Sequence, residues 1–192
     1  MKMKDNKRTG FTIVELMMAV SISAFVLTSV YASLINLAKG SEGMINYSEM
    51  NNQSRLALEM LGRDTRMARE VEMATETQVM LEREIQGTVY DVLYTYLPQT
   101  GTFSRTIFVD DDKVNPDEKT VASIQGARTV YLYDVEKINL KYYNFRQSET
   151  RNPREIKHVQ IDGLMERSVL NLRNTNYVIS ARFMMRNKDV TN

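Results

Sequence analysis

The sequence predicts an α+β chain, with one long amino-terminal α-helix packed on an antiparallel β-sheet. Three observations predict it. Phe11 to Ala38 form an apolar run broken by a single charge, Glu15. Residues 44 to 73 then place apolar side chains at helical period. From about residue 76 the pattern changes to short runs rich in Val, Ile, Tyr and Thr, with no helical stretch between them.

The helix starts as a membrane segment. Residues 1–10, MKMKDNKRTG, set Lys2, Lys4, Lys7 and Arg8 against Asp5. From Leu16 to Ala38 there is no charge, and at 1.5 Å per residue this stretch reaches roughly 35 Å, enough for the ~30 Å hydrocarbon core. Basic residues ahead of an apolar run hold that end in the cytoplasm, so the chain after Lys39 is expected across the membrane. A cleaved secretory signal has a shorter core and a small-residue exit, and Val30-Tyr31-Ala32 is a poor one. Glu15 is the anomaly. A carboxylate inside a membrane helix costs at least ~2.5 kcal/mol, so it marks function and needs a partner.

Lys39-Gly40-Ser41-Glu42-Gly43 reads as a soft point, at the membrane exit or at a local bend. Beyond it, Ala57, Leu61, Ala68 and Val71 share one stripe, with Met60 and Met67 beside it, and this stripe is expected to face a sheet. Arg63, Arg66 and Arg69 project elsewhere. Asp64 reads as a member of a solvated ion-pair ladder with these arginines.

The expected strands are 78–82, 88–97, 105–109, 129–134, 138–145, 156–161 and 177–185. Alternation is clearest in Tyr90-Val92-Tyr94-Tyr96 and in Ile138-Leu140-Tyr142. Pro98-Gln99-Thr100-Gly101 reads as a hairpin turn. Strands with no helices between them imply an antiparallel sheet, one face on the helix and one face wet. Tyr90, Tyr94, Tyr96, Tyr131, Tyr133, Tyr142 and Tyr143 are expected in cross-strand pairs.

Composition excludes much chemistry. The 192 residues carry a net charge of +1, so no global field draws the chain onto nucleic acid. There is no Cys and one His, His158, which excludes disulfides, a Cys nucleophile and multi-histidine metal sites. His158 reads as structural or exposed. Asp110–Glu118 is the dense carboxylate stretch. It reads as a solvated acidic loop, with calcium as the alternative, although Val114 stands where an oxygen ligand is needed. No nucleotide-binding or hydrolase motif is present. Neither catalysis nor a cofactor nor a metal is expected.

Thr9-Gly10-Phe11-Thr12-Ile13-Val14-Glu15-Leu16 resembles the processing site of type IV prepilins and type II secretion pseudopilins. The resemblance implies that a prepilin peptidase cuts after Gly10 and methylates the new amine of Phe11. It also implies that Glu15 pairs with the Phe11 amine of a neighbouring subunit during assembly. The physics agrees: Gly10 adds no Cβ in an extended protease site. An α-amine with a reference pKa of about 7.7–8.0 supplies the cation that a carboxylate in low dielectric requires. Leu61-Gly62-Arg63-Asp64-Thr65-Arg66-Met67-Ala68 further resembles the "RD-x-R-x-A" helix end of W-type minor pilins and J-type minor pseudopilins.

Together the resemblances imply a minor pilin or pseudopilin with a pilin-like fold. Its parts are a leader (1–10), a transmembrane helix (11–38), an amphipathic continuation (39–73) and a β-rich globular domain (74–192). It is expected in the bacterial inner membrane as a single-pass protein with a periplasmic domain. Its partners are the peptidase and the other pilins or pseudopilins of a type II secretion pseudopilus or type IV pilus. The absence of a Cys pair, and of Pro between residues 11 and 97, implies an unkinked membrane helix and suits a low-copy initiating or tip subunit. One rival is a DNA-uptake (competence) minor pilin, but Asp64, Glu70 and Glu72 neutralise the arginines locally. Loss of the basic leader also leaves a slightly negative chain, so nucleic acid is not expected as a partner. The other rival is a membrane-anchored periplasmic enzyme, which needs a catalytic set that the sequence does not display.

Overall fold

The computed structural model describes residue 10 and residues 12–85, 87–109, 127–167 and 175–188. Among these residues one helix, α1 (Ile13–Met67), precedes eight strands: β1 (Glu70–Ala74), β2 (Gln78–Ile85), β3 (Thr88–Leu97), β4 (Thr102–Val109), β5 (Ala127–Leu132), β6 (Val135–Tyr143), β7 (His158–Arg167) and β8 (Thr175–Met184). The chain divides into two compact units, Met1–Met44 and Ile45–Asn192.

In the first unit α1 is long and apolar enough to cross a membrane, and its large apolar side chains are exposed along the whole segment. Five hydroxyls interrupt the apolar surface. Ser21, Ser23, Thr28, Ser29 and Ser33 each donate to the carbonyl four residues earlier, at 2.8–2.9 Å. Bonded this way, they leave no unpaired donor in hydrocarbon. Gly40 to Gly43, expected as a soft point, is helical.

In the second unit the strands form two antiparallel sheets where the sequence suggested one. The first runs β1-β2-β3-β4-β5 and the second β6-β7-β8. Leu140 N–H joins them by donating to Glu76 O at 2.8 Å, and Val135 N–H by donating to Gly101 O at 2.9 Å. At Gly101 φ is +58°, and an added Cβ would stand 3.1 Å from Val135 O. Glycine therefore meets two demands of that turn, left-handed backbone and close approach.

Both sheets share one core with α1. Met50, Ala57 and Leu61 pack with Val79, Leu81, Val92 and Phe103 of the first sheet and with Ile138, Leu140, Val159, Ile161 and Ile179 of the second. The stripe at Ala57, Leu61, Ala68 and Val71 is buried as expected, whereas Met67 is exposed. The helix ends at Met67 and not at residue 73, because Glu70–Ala74 pairs with β2 as a strand. Its periodic apolar residues suit either state, and sheet pairing decides. Asp110–Glu118 lies outside the described residues.

Candidate functional site: the helix start and a buried carboxylate

Thr12 precedes the first helical residue, and Glu15 lies in the first turn. Thr12 N–H donates to Glu15 Oε2 at 2.9 Å, and the Thr12 hydroxyl donates to the same oxygen at 3.0 Å. In return Glu15 N–H donates to Thr12 Oγ1 at 3.2 Å. This is a reciprocal capping box, and it satisfies amides that the helix start leaves without acceptors. The negative charge also lies at the positive end of the helix dipole. Gly10 has open space around its Cβ position. Phe11 lies outside the described residues.

The second site is in the globular unit. Asp64 was expected on a solvated face, and this is corrected: its side chain is fully buried. Its Oδ1 accepts from Arg83 Nη1, and its Oδ2 accepts from Arg105 Nε at 2.6 Å and from the Tyr94 hydroxyl at 2.7 Å. Helical geometry explains the difference. Asp64 lies three residues after Leu61, on the core side of the helix, while Arg63 and Arg66 are turned outward. Burial, reinforced by the Asp64 charge, pushes the Tyr94 hydroxyl well above its usual pKa. For Arg105 burial works the other way, but the Asp64 and Tyr94 contacts outweigh it and leave the guanidinium more firmly protonated.

The expected arginine ladder is dispersed. Arg63 reaches Asp64 only at 3.9 Å, Arg66 lies over the Phe183 ring at 5.9 Å, and Arg69 pairs with Glu84. The tyrosines do more than pair across strands. The hydroxyl of Tyr96 donates to Glu136 O at 2.8 Å, and that of Tyr142 to Thr75 O at 2.7 Å. Half-buried His158 leaves Nδ1 without a hydrogen-bond partner among the described residues.

Residues 5–31 match the family model described as the prokaryotic N-terminal methylation motif. Its amino-terminal segment is prepilin-like. The match covers residues 5–10 of the leader, the capping box and the apolar segment as far as Tyr31, and that segment opens a helix long and apolar enough to cross a membrane. No curated protein matches it.

Of the residues singled out in the sequence, Gly10 and Glu15 are described, and Glu15 is bonded to Thr12. Two signals were readable and missed. Thr12-x-x-Glu15 has the spacing of a capping box. Asp64, at i+3 from Leu61 on the core stripe, was a polar residue at an inward position.

Proposed function

We propose that the protein is a minor pilin or minor pseudopilin, cleaved between Gly10 and Phe11 and methylated on the Phe11 amine. It is a filament subunit of a type II secretion pseudopilus or type IV pilus, and Glu15 receives a neighbour's Phe11 amine as the subunit enters the filament. Its globular domain stands in the periplasm and selects partners without turnover. The single observation that carries this reading is the methylation motif over residues 5–31, with Glu15 in the first turn of an apolar helix.

Intact-mass spectrometry of the membrane fraction tests the processing. The expected species begins at Phe11 and carries one added methyl group. A protein that begins at Met1 in cells containing an active prepilin peptidase, or at Ser33, refutes the assignment.

A further inference from the structure

The outer face of the β6-β7-β8 sheet takes no part in the core or in the helix start. Register places Tyr143, His158 and Met184 in one row, Lys141, Gln160 and Arg182 in the next, and Asn139, Asp162 and Ser180 in a third. The Arg182 guanidinium lies 4.0 Å from the Tyr143 ring centroid. Its Nε and Nη2 donate to Gln160 Oε1 at 2.9 and 2.6 Å, and its Nη1 donates to Gln147 Oε1 at 3.0 Å. Every one of these partners is neutral. A guanidinium carries five N–H donors, so donors remain for an outside group. Among the described residues no carboxylate forms an ion pair with Arg182.

The neighbours hold this arginine in place. Gln147 has φ of +64°, a left-handed backbone that a glutamine keeps only when its surroundings impose it. The turn is fastened by Asn144 N–H donating to Ser148 O at 2.9 Å and by Ser148 N–H donating to Asn144 Oδ1 at 3.0 Å. The same turn presents Phe145, 68% exposed, and β8 presents Met184, 48% exposed. Asp162 is engaged within the face, accepting from Gln160 and from Ser180 and pairing with Lys141 at 3.3 Å. Arg182 is thus held by its neighbours and uncompensated, with Met184 on the same face of β8 and Phe145 in the turn that supplies Gln147.

We propose that this face docks a neighbouring protein subunit, whose carboxylate, set among apolar side chains, seats on Arg182 between Phe145 and Met184. The proposal rests on the filament-subunit reading above. Arg and Tyr in an apolar frame are the residue types that dominate protein–protein hot spots. A phosphate backbone would instead need cations in a line, and here Lys141 is already paired while Asp162 stands in the adjoining row.

The test uses the full-length protein in filament-assembling cells, with the photoreactive p-benzoylphenylalanine in place of Phe145. The expected result is a crosslink to another filament subunit, mapped to a peptide containing Asp or Glu. Arg182→Glu should reduce that crosslink by about tenfold or more, as loss of a close charge pair predicts. Arg182→Gln, a milder change, should reduce it in the same direction with an unchanged proteolysis pattern. Replacing the partner's carboxylate with Lys should restore the crosslink to the Arg182→Glu protein. A crosslink insensitive to both Arg182 variants, one to a second copy of this chain, or none while the protein still enters filaments overturns the docking face and leaves the subunit reading intact. Retention of a single-stranded oligonucleotide by the detergent-solubilised protein, lost with Arg182→Glu, overturns it in favour of a nucleic-acid face. Absence of the wild-type protein from filaments removes the subunit reading and this proposal together.

Discussion

Arg105 Nε donates to Asp64 Oδ2 at 2.6 Å, fastening the end of α1 to β4 across the middle of the globular unit. Arg83 of β2 and Tyr94 of β3 bind the same carboxylate, so one helical side chain holds three consecutive strands. With two guanidinium groups around one carboxylate, each partner's removal has a different consequence.

Asp64→Ala leaves two buried guanidinium groups without their counter-ion. We expect a loss of about 3–5 kcal/mol, the usual result of breaking a buried pair from one side. Chemical denaturation of the detergent-solubilised protein, followed by tyrosine fluorescence, measures it. Replacing Asp64, Arg83 and Arg105 together with Leu, Met and Met should recover most of the loss. A triple variant as unstable as Asp64→Ala would show that the cluster contributes more than charge compensation.

Gly62 faces Phe183 of β8, and a Cβ there would lie 2.6 Å from the ring edge. Gly62→Val should destabilise by about 1–3 kcal/mol, as overpacking does, despite glycine's poor helix propensity. Adding Phe183→Leu should return part of the stability. If Gly62→Val alone raises the unfolding midpoint, the ring moves aside freely and this packing contact is weak.

High pH should weaken the domain through its tyrosines. Burial raises Tyr94, with Asp64 adding to it, and burial raises Tyr142. A raised folded pKa means that the unfolded chain ionises first. The stabilisation is therefore complete below about pH 10, the ordinary tyrosine value, and is lost as pH rises beyond it. Denaturation midpoints at pH 8, 10 and 11.5 should fall only in the last interval, and Tyr142→Phe should shallow the fall. An equal slope for Tyr142→Phe and wild type would contradict the assignment.

The observed cap and the proposed pairing give Glu15 two separable roles. Glu15→Gln keeps an acceptor for the capping box but removes the charge, whereas Glu15→Val removes both. Both variants should insert in the membrane. If pairing with a neighbour's amine drives assembly, both should be missing from sheared filaments on immunoblots. Incorporation of Glu15→Gln at wild-type levels would show that the cap, and not the charge, is what assembly needs.

The α+β class, seven of the eight strands and the exposed apolar segment were legible because hydrophobic period and length decide them. β1 was not, since Val71 fits a helix stripe as well as a strand and only its pairing with Leu81 selects between them. The inward position of Asp64 was readable from the stripe, but its partners were not, for a related reason. Local charge spacing pointed to Arg63 and Arg66, but the true partners, Arg83 and Arg105, come from strands brought in by tertiary packing. The division into two sheets was not legible because the break between β5 and β6, at left-handed Asp134, has no glycine or proline to announce it. At the helix start Thr12 was quoted only as part of the motif, although its spacing to Glu15 announced the capping box that the two residues form.

The box between Thr12 and Glu15 changes what an idle subunit is. If the protein is the filament subunit proposed above, a monomer awaiting recruitment already has its carboxylate occupied by its own chain. Under the proposed pairing, subunit entry becomes an exchange of partners, Thr12 yielding to an incoming amine. The net gain from that exchange is the difference between two bonded states, far smaller than rescue of a bare charge. Subunits could then join and leave a growing base without a deep energetic trap in either direction.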